Sequence, residues 1–268
     1  MHRLQTVLLA AIAAFGFAAG ALAADFPLNA PPALPVASWA GFYIGLNAGA
    51  AWTQQNVKTA PGGSLVSNPF VGSLGWGQDL SNTSTDFTGG GQIGVNFQSN
   101  RFVMGIETDF QSLGASFTNN SVFSSSDTSG TSVVISSISS KTPWFGTVRG
   151  RFGYTPDPKL MVYLTGGFAY GHKNITANVS PTVNGGLFEV FQFNVSQTTT
   201  GYAVGAGAEY RLSDHWSIKA EYLHVDLNGK GAGVATSIVG GNAFPTDVMN
   251  LRYHDRIDVV RGGLNYKL

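Results

Sequence analysis

From residue 40 to the C-terminus the chain alternates apolar and polar residues in eight separate stretches. A period of two sends successive side chains to opposite faces of an extended strand, so this pattern commits the chain to β-structure with one apolar face per strand. In segment 40–52, Phe42, Ile44, Leu46, Ala48, Ala50 and Trp52 oppose Tyr43, Gly45, Asn47 and Gly49. In segment 87–98, Phe87, Ile93, Val95 and Phe97 oppose Gln92, Asn96 and Gln98; in 101–111, Phe102, Met104, Ile106 and Phe110 oppose Arg101, Glu107 and Asp109. Segment 143–154 sets Trp144, Val148, Phe152 and Tyr154 against Thr147, Arg149 and Arg151. Segments 160–171, 200–212, 215–227 and 256–268 repeat the theme, with Glu209, Arg211, Lys219, Glu221, Arg261, Asn265 and Lys267 on the polar faces.

Alternation is shared by soluble sandwiches and membrane barrels, and the connections discriminate between them. Residues 98–101 (QSNR), 155–159 (TPDPK) and 212–215 (LSDH) read as tight turns. Between them lie long polar connections at 53–86, 112–142, 172–199 and 228–255. Strict long–short alternation in an up-and-down barrel puts all short turns at one end, the pattern of outer-membrane barrels. Residues 131–135 (TSVVI) and 188–193 (FEVFQF) are also β-prone and read as strand extensions above the membrane; a ten-stranded count is the alternative.

With the first strand running outward, Trp52, Phe110, Trp144, Phe168, Tyr170 and Tyr202 fall near the external rim. Phe42, Phe97, Phe102, Phe152, Tyr154, Tyr210, Trp216 and Tyr266 fall near the periplasmic rim. Two such aromatic girdles are expected at membrane interfaces. The expected fold is therefore all-β: one closed eight-stranded antiparallel up-and-down transmembrane barrel with long external loops.

The N-terminus reads as an export signal over residues 1–23. His2 and Arg3 precede an apolar run from Val7 to Ala19, and Ala21, Leu22 and Ala23 form a small-residue cleavage site. Residues 24–38, with Pro27, Pro31, Pro32 and Pro35, read as an extended periplasmic linker, and 39–268 as the barrel domain. The 15 basic and 15 acidic residues balance, against the basic surplus of a nucleic-acid binder. With no cysteine there is neither a disulfide framework nor a thiolate metal site.

An eight-stranded barrel is just wide enough for side chains to fill it. The polar faces carry charges of both signs: Glu107, Asp109, Glu209 and Glu221 against Arg149, Arg151, Arg211, Lys219 and Arg261. They are expected to pair across the lumen and plug it, because an unpaired charge there is costly. A selective ion path is the alternative, though no ring of a single sign supports it.

No catalytic, cofactor or metal residue is assigned. Residues 89–94 (GGGQIG) spell G-x-G-x-x-G but lead into an alternating strand, the wrong context for phosphate binding. His224 with Asp226, and His254 with Asp255, lie near the expected external rim, where a His–carboxylate pair can activate water. No Ser or second carboxylate takes a role beside them. His172 near the same rim could join them in binding metal or haem.

Several blocks resemble a known family. Residues 39–49 (WAGFYIGLNAG), 144–154 (WFGTVRGRFGY), 163–171 (YLTGGFAYG), and 205–210 with 216–222 (GAGAEY, WSIKAEY) resemble the first, fourth, fifth, sixth and seventh strands of a family of small outer-membrane proteins. These are the alphaproteobacterial barrels of the Brucella 25/31-kilodalton type. Arg261, Gly263, Tyr266 and Leu268 resemble the C-terminal signal read by the outer-membrane assembly machinery; the family usually ends in Phe, where this chain has Leu268. The resemblance implies a Gram-negative outer-membrane location and a structural or surface-interaction role. It also implies contacts with membrane lipid and lipopolysaccharide, and host or phage contacts through the external loops. A narrow porin-like channel and a haem-binding surface receptor are the alternatives it carries.

Processing after Ala23 gives a mature chain that begins at Ala24. N-terminal sequencing of the protein isolated from outer membranes should read Ala24-Asp25; an intact Met1 would overturn the assignment.

Overall fold

The computed structural model describes residues 38–67, 79–127, 130–183, 186–187, 190–237 and 241–268. The export signal and residues 24–37 of the linker lie outside them. Eight long strands form the molecule: β1 (Gly41–Gly63), β2 (Asp79–Ser99), β3 (Phe102–Asp127), β4 (Gly130–Asp157), β5 (Leu160–Val183), β7 (Phe191–Arg211), β8 (Trp216–Ser237) and β9 (Ala243–Lys267). A two-residue strand, β6 (Gly186–Leu187), pairs only with the end of β5. Each long strand pairs antiparallel with its neighbours, and β1 pairs with β9, so the sheet closes into a ring of eight.

The register fixes the ring's geometry. The path Gly45–Gln92–Asp109–Thr147–Ala169–Gly201–Leu227–Asp255 crosses every long strand and returns to β1 at Gln55, a stagger of ten residues. With strands about 4.8 Å apart and a rise of about 3.3 Å per residue, that stagger tilts the strands by about 40° and gives a backbone radius of about 8 Å. Such a cylinder holds side chains and no open bore.

The short turns form as the sequence dictates. Asn100 takes a left-handed backbone (φ 54°) between Ser99 and Phe102, a conformation Asn tolerates better than most residues. Asp157 caps its turn by accepting a bond from the Lys159 amide at 2.9 Å.

Burial is inverted relative to a soluble protein. Leu46 and Phe87 are 73% and 76% exposed, whereas Arg149 and Arg261 are 1% and 2% exposed. Outward-facing aromatics gather at two levels. By register and tilt, Phe42, Phe97, Phe102, Tyr154, Tyr210 and Trp216 lie near the short-turn end. Trp52, Phe87, Trp144, Tyr170 and Tyr202 lie roughly 25 Å above them, the height of an outer-membrane apolar band.

The long connections differ from simple loops. Most of residues 53–63, 79–86, 112–127, 130–142, 172–183, 191–199, 228–237 and 243–255 are paired strand. The strands of 21 to 28 residues far exceed the ~10 needed to cross the apolar band. In these extensions polarity reverses. Val134, Ile138, Ile175, Val179, Phe193 and Leu251 point inward and are buried, while Asn120, Asn194, Asn250 and Arg252 are exposed outside. Above the apolar band the inward face is therefore largely apolar, while the outer wall mixes amides and charges with a few apolar side chains such as Val122, Ile135 and Val234. A ladder irregularity at Pro143, between Lys141 and Phe145, moves the inward residues of β4 from even to odd numbers. Proline has no N–H to give the ladder and favours such bulges.

A closed ring of this kind resists detergent until heated. An unboiled sample should migrate differently from a boiled one on a denaturing gel. Identical mobility, with the protein in a soluble periplasmic extract, would contradict a membrane barrel.

Candidate functional site in the barrel lumen

Four acids and four bases meet in the lower half of the lumen. Arg149 sits at their centre: one Nη2 lies 2.7 Å from Glu107 and 2.8 Å from Asp109, and its other Nη1 donates to Glu221. Arg261 joins Asp109 at 2.7 Å to Glu221 at 2.8 Å. Lys219 lies 3.1 Å from Glu107 and 3.4 Å from Glu221, and Arg151 lies 2.7 Å from Glu209. The Tyr43 hydroxyl accepts from Arg151 and donates to Glu107. Asn265 and Ser217 donate to Glu209. These residues come from β1, β3, β4, β7, β8 and β9, so the network ties opposite walls together.

The ninth charge, Arg211, does not join them. It sits toward the short-turn end with its guanidinium 4.5 Å from the Trp39 ring centroid. Its strand position explains this. Inward residues two apart differ in height, and Arg211 lies one step nearer the mouth than Glu209. Trp39 is buried there, held by its amide to Gln98 at 2.6 Å, while Lys267 donates to the Ser38 carbonyl at 2.7 Å.

Glycines make room for this packing. A Cβ on Gly94 would overlap the Tyr43 ring, and one on Gly207 would overlap Tyr163. Arg151 stacks on Tyr163 with its guanidinium 4.0 Å from the ring centroid. The G-x-G-x-x-G spelling at 89–94 lies wholly inside β2, so it forms no phosphate-binding turn.

Sequence reasoning missed what lies above the charges. Ala51, Leu113, Phe145, Ala169, Ala203, Leu223, Val225, Leu227, Ile257 and Val259 form a buried apolar layer across the lumen. Next comes an enclosed ion pair, Lys173 to Asp255 at 2.8 Å, bridged by Thr142, which also receives Gln55. A second apolar cluster around Val134, Ile175, Phe193 and Leu251 follows. The signal was present: Leu223, Val225 and Leu227 continue the face of Lys219 and Glu221 with apolar residues.

The histidine pairings also differ from the sequence expectation. His224 Nδ1 lies 2.7 Å from Asp258, and His254 Nε2 lies 2.8 Å from Asp226. Asp255 faces inward to Lys173, because neighbours in a strand point to opposite faces. His172 stacks on Trp144 and bonds Ser196 on β7, so the three histidines do not converge. Among the described residues no group of three or more His, Cys, Asp or Glu is arranged to hold a metal.

Residues 8–244 match the family described as outer membrane protein beta-barrel domain. The chain belongs to this outer-membrane β-barrel family. It is 38% identical over 270 residues to a 31 kDa outer-membrane immunogenic protein of Brucella melitensis, covering 98% of this chain and all of that protein. A 25 kDa outer-membrane immunogenic protein of Brucella abortus is 27% identical, with 92% and 96% covered. A 22 kDa outer membrane protein of Rhizobium leguminosarum is 28% identical, with 74% and 69% covered. Among solved structures, the outer membrane protease OmpT of Escherichia coli aligns over 85% of this chain and 97% of its own at 13% identity, with a TM-score of 0.42.

An outer-membrane barrel has its short turns in the periplasm and its longer connections outside. The charge network then sits in the periplasmic half of the membrane and the apolar layer in the outer half. Replacing Glu221 by Gln leaves Arg149, Arg261 and Lys219 short of one carboxylate in a buried site. Breaking a buried pair on one side costs about 3–5 kcal/mol. Urea unfolding of the detergent-refolded barrel should show a loss of that order for Glu221→Gln. Little change is expected for Lys58→Gln, whose pair with Asp79 is exposed.

Proposed function

We infer that this outer-membrane barrel is a sealed structural protein of the envelope that works through its outer surface, not through its lumen. The supporting observation is the buried apolar layer around Phe145, Leu223 and Ile257, stacked on a network of four acids and four bases. An ion crossing it would leave water for an apolar slab and would meet charges that already satisfy one another. Both conditions oppose conduction. The strands rise well beyond the apolar band, so a paired, rigid rim carries the outermost residues away from the membrane.

Residues 1–23 direct export in this reading, and 24–38 tether the barrel on the periplasmic side. Arg261, Gly263, Tyr266 and Leu268 are the signal for the assembly machinery. Arg261 then has a double role, since it also closes the lumen network. Tyr266 on the outer face of β9 and Leu268 just past its end are accessible to a catalyst before the β1–β9 seam closes.

The test is conductance of the refolded chain in a planar bilayer, with insertion verified by protease protection. The wild type should be silent. Reproducible discrete steps that change on replacing Arg149 or Glu221 would replace this reading with a narrow channel.

A further inference from the structure

Three cations stand side by side on the outer wall above the membrane. Lys58 on β1, Arg252 on β9 and Lys230 on β8 are direct cross-strand partners: Lys58 faces Arg252, and Arg252 faces Lys230. All three point outward and are exposed. Like charges directly opposite one another, about 5 Å apart, destabilise a sheet. Lys58 has one acidic neighbour, Asp79 at 2.6 Å, on its far side. Arg252 and Lys230 have no acidic partner among the described residues. The closed register thus sets three cations side by side, and only Lys58 has a carboxylate partner among the described residues.

The row borders a concavity of ≈ 750 Å³ lined also by Asn56, Asn228, Gly229, Tyr253 and His254, and by Asp79, the carboxylate that pairs with Lys58. The two amides there can hydrogen-bond sugar hydroxyls or anionic oxygens. Arg256 lies one outward position below His254 on the same strand and 3.7 Å from Asp226. Height identifies the occupant. Six residues separate Trp52 of the outer aromatic rim from Lys58, roughly 15 Å along the barrel axis at the barrel's tilt. The wall there faces sideways, toward whatever stands on the neighbouring lipid. In the outer leaflet that neighbour is lipopolysaccharide, whose core sugars carry phosphates and sugar-acid carboxylates just above the acyl chains. A soluble polyanion would meet the open end of the barrel first.

We propose that Lys58, Arg252 and Lys230, with Asn56 and Asn228, form a binding site for the anionic core saccharide of lipopolysaccharide. The site rests on the surface role inferred above, and gives that role a ligand class. Bound anionic groups offset the repulsion along the row and fasten the β8–β9–β1 wall, which includes the closing seam, to the leaflet.

The test compares the full refolded barrel with the triple variant Lys58→Gln, Lys230→Gln, Arg252→Gln, and with a control, Arg101→Gln with Lys159→Gln, at the short-turn end. Heat-dependent gel mobility verifies that each has folded. Affinity is measured in detergent for rough lipopolysaccharide bearing its inner core and for lipid A alone. Near a surface each cation contributes enough that losing three should weaken core binding about ten- to a hundredfold. The control should bind as the wild type does, and binding of lipid A alone should be equal across all three proteins. Equal core binding by wild type and triple variant overturns the site. Discrimination of a soluble sulfated oligosaccharide, but not of core-bearing lipopolysaccharide, also overturns it. Labelling of Lys230→Cys in intact cells tests the surface reading separately. A cysteine that a membrane-impermeant reagent cannot reach would refute the orientation, whatever the affinities.

Discussion

Ring closure governs everything else in this molecule. Hydrocarbon offers no partner to a backbone amide, so the strands must satisfy one another around a full circle. Closing eight strands with a ten-residue stagger leaves a cylinder about 8 Å in radius, and every second side chain must fit inside it. The lumen is then a packing problem with little slack. Tyr43 fits because residue 94 is glycine, and Tyr163 because residue 207 is glycine. Arg149 can be buried because three carboxylates from two other strands converge on it.

The lumen's contents are stratified. Trp39 and Arg211 occupy the periplasmic mouth, and the balanced charge network comes next. An apolar layer, the Lys173–Asp255 pair and a second apolar cluster complete the column. The four-acid, four-base network and the Lys173–Asp255 pair are each balanced in sign, and each apolar stratum joins residues from strands around the bore. Stability and closure therefore share one cause. The side chains that fix the distance between opposite walls are also the ones that fill the bore.

Polarity reversal along the strands links the fold to the envelope. Within the apolar band, Leu46, Phe87 and Leu164 face lipid, while charges fill the lower part of the lumen and the Phe145–Leu223–Ile257 layer its upper part. Above it, Val134, Ile175 and Leu251 face in, while amides and cations face out. The same antiparallel ladder serves two solvents. The Lys58–Arg252–Lys230 row lies above the apolar band, where water and saccharide, not acyl chains, surround the wall.

The sequence by itself determined the eight alternating segments, the long–short rhythm of their connections and the two aromatic levels. Each depends on local period and on residues adjacent in the chain. Parity within a strand also assigned Glu107, Arg149 and Glu221 to the polar face, whereas Lys173 and Asp255, read as part of the long connections, were not expected in the lumen. The tertiary structure decided what those charges meet. Arg211 departs from the network because height in the bore depends on the stagger of all eight strands. His224 takes Asp258 from the neighbouring strand, not Asp226 from its own, because register sets cross-strand partners. The upper apolar cluster was legible in part, in the inward run of Ile175, Ala177 and Val179. On β4 the bulge at Pro143 changes the parity that would have revealed it. The row at Lys58, Arg252 and Lys230 left no local trace, since it joins residues almost two hundred positions apart through the closure of β1 on β9.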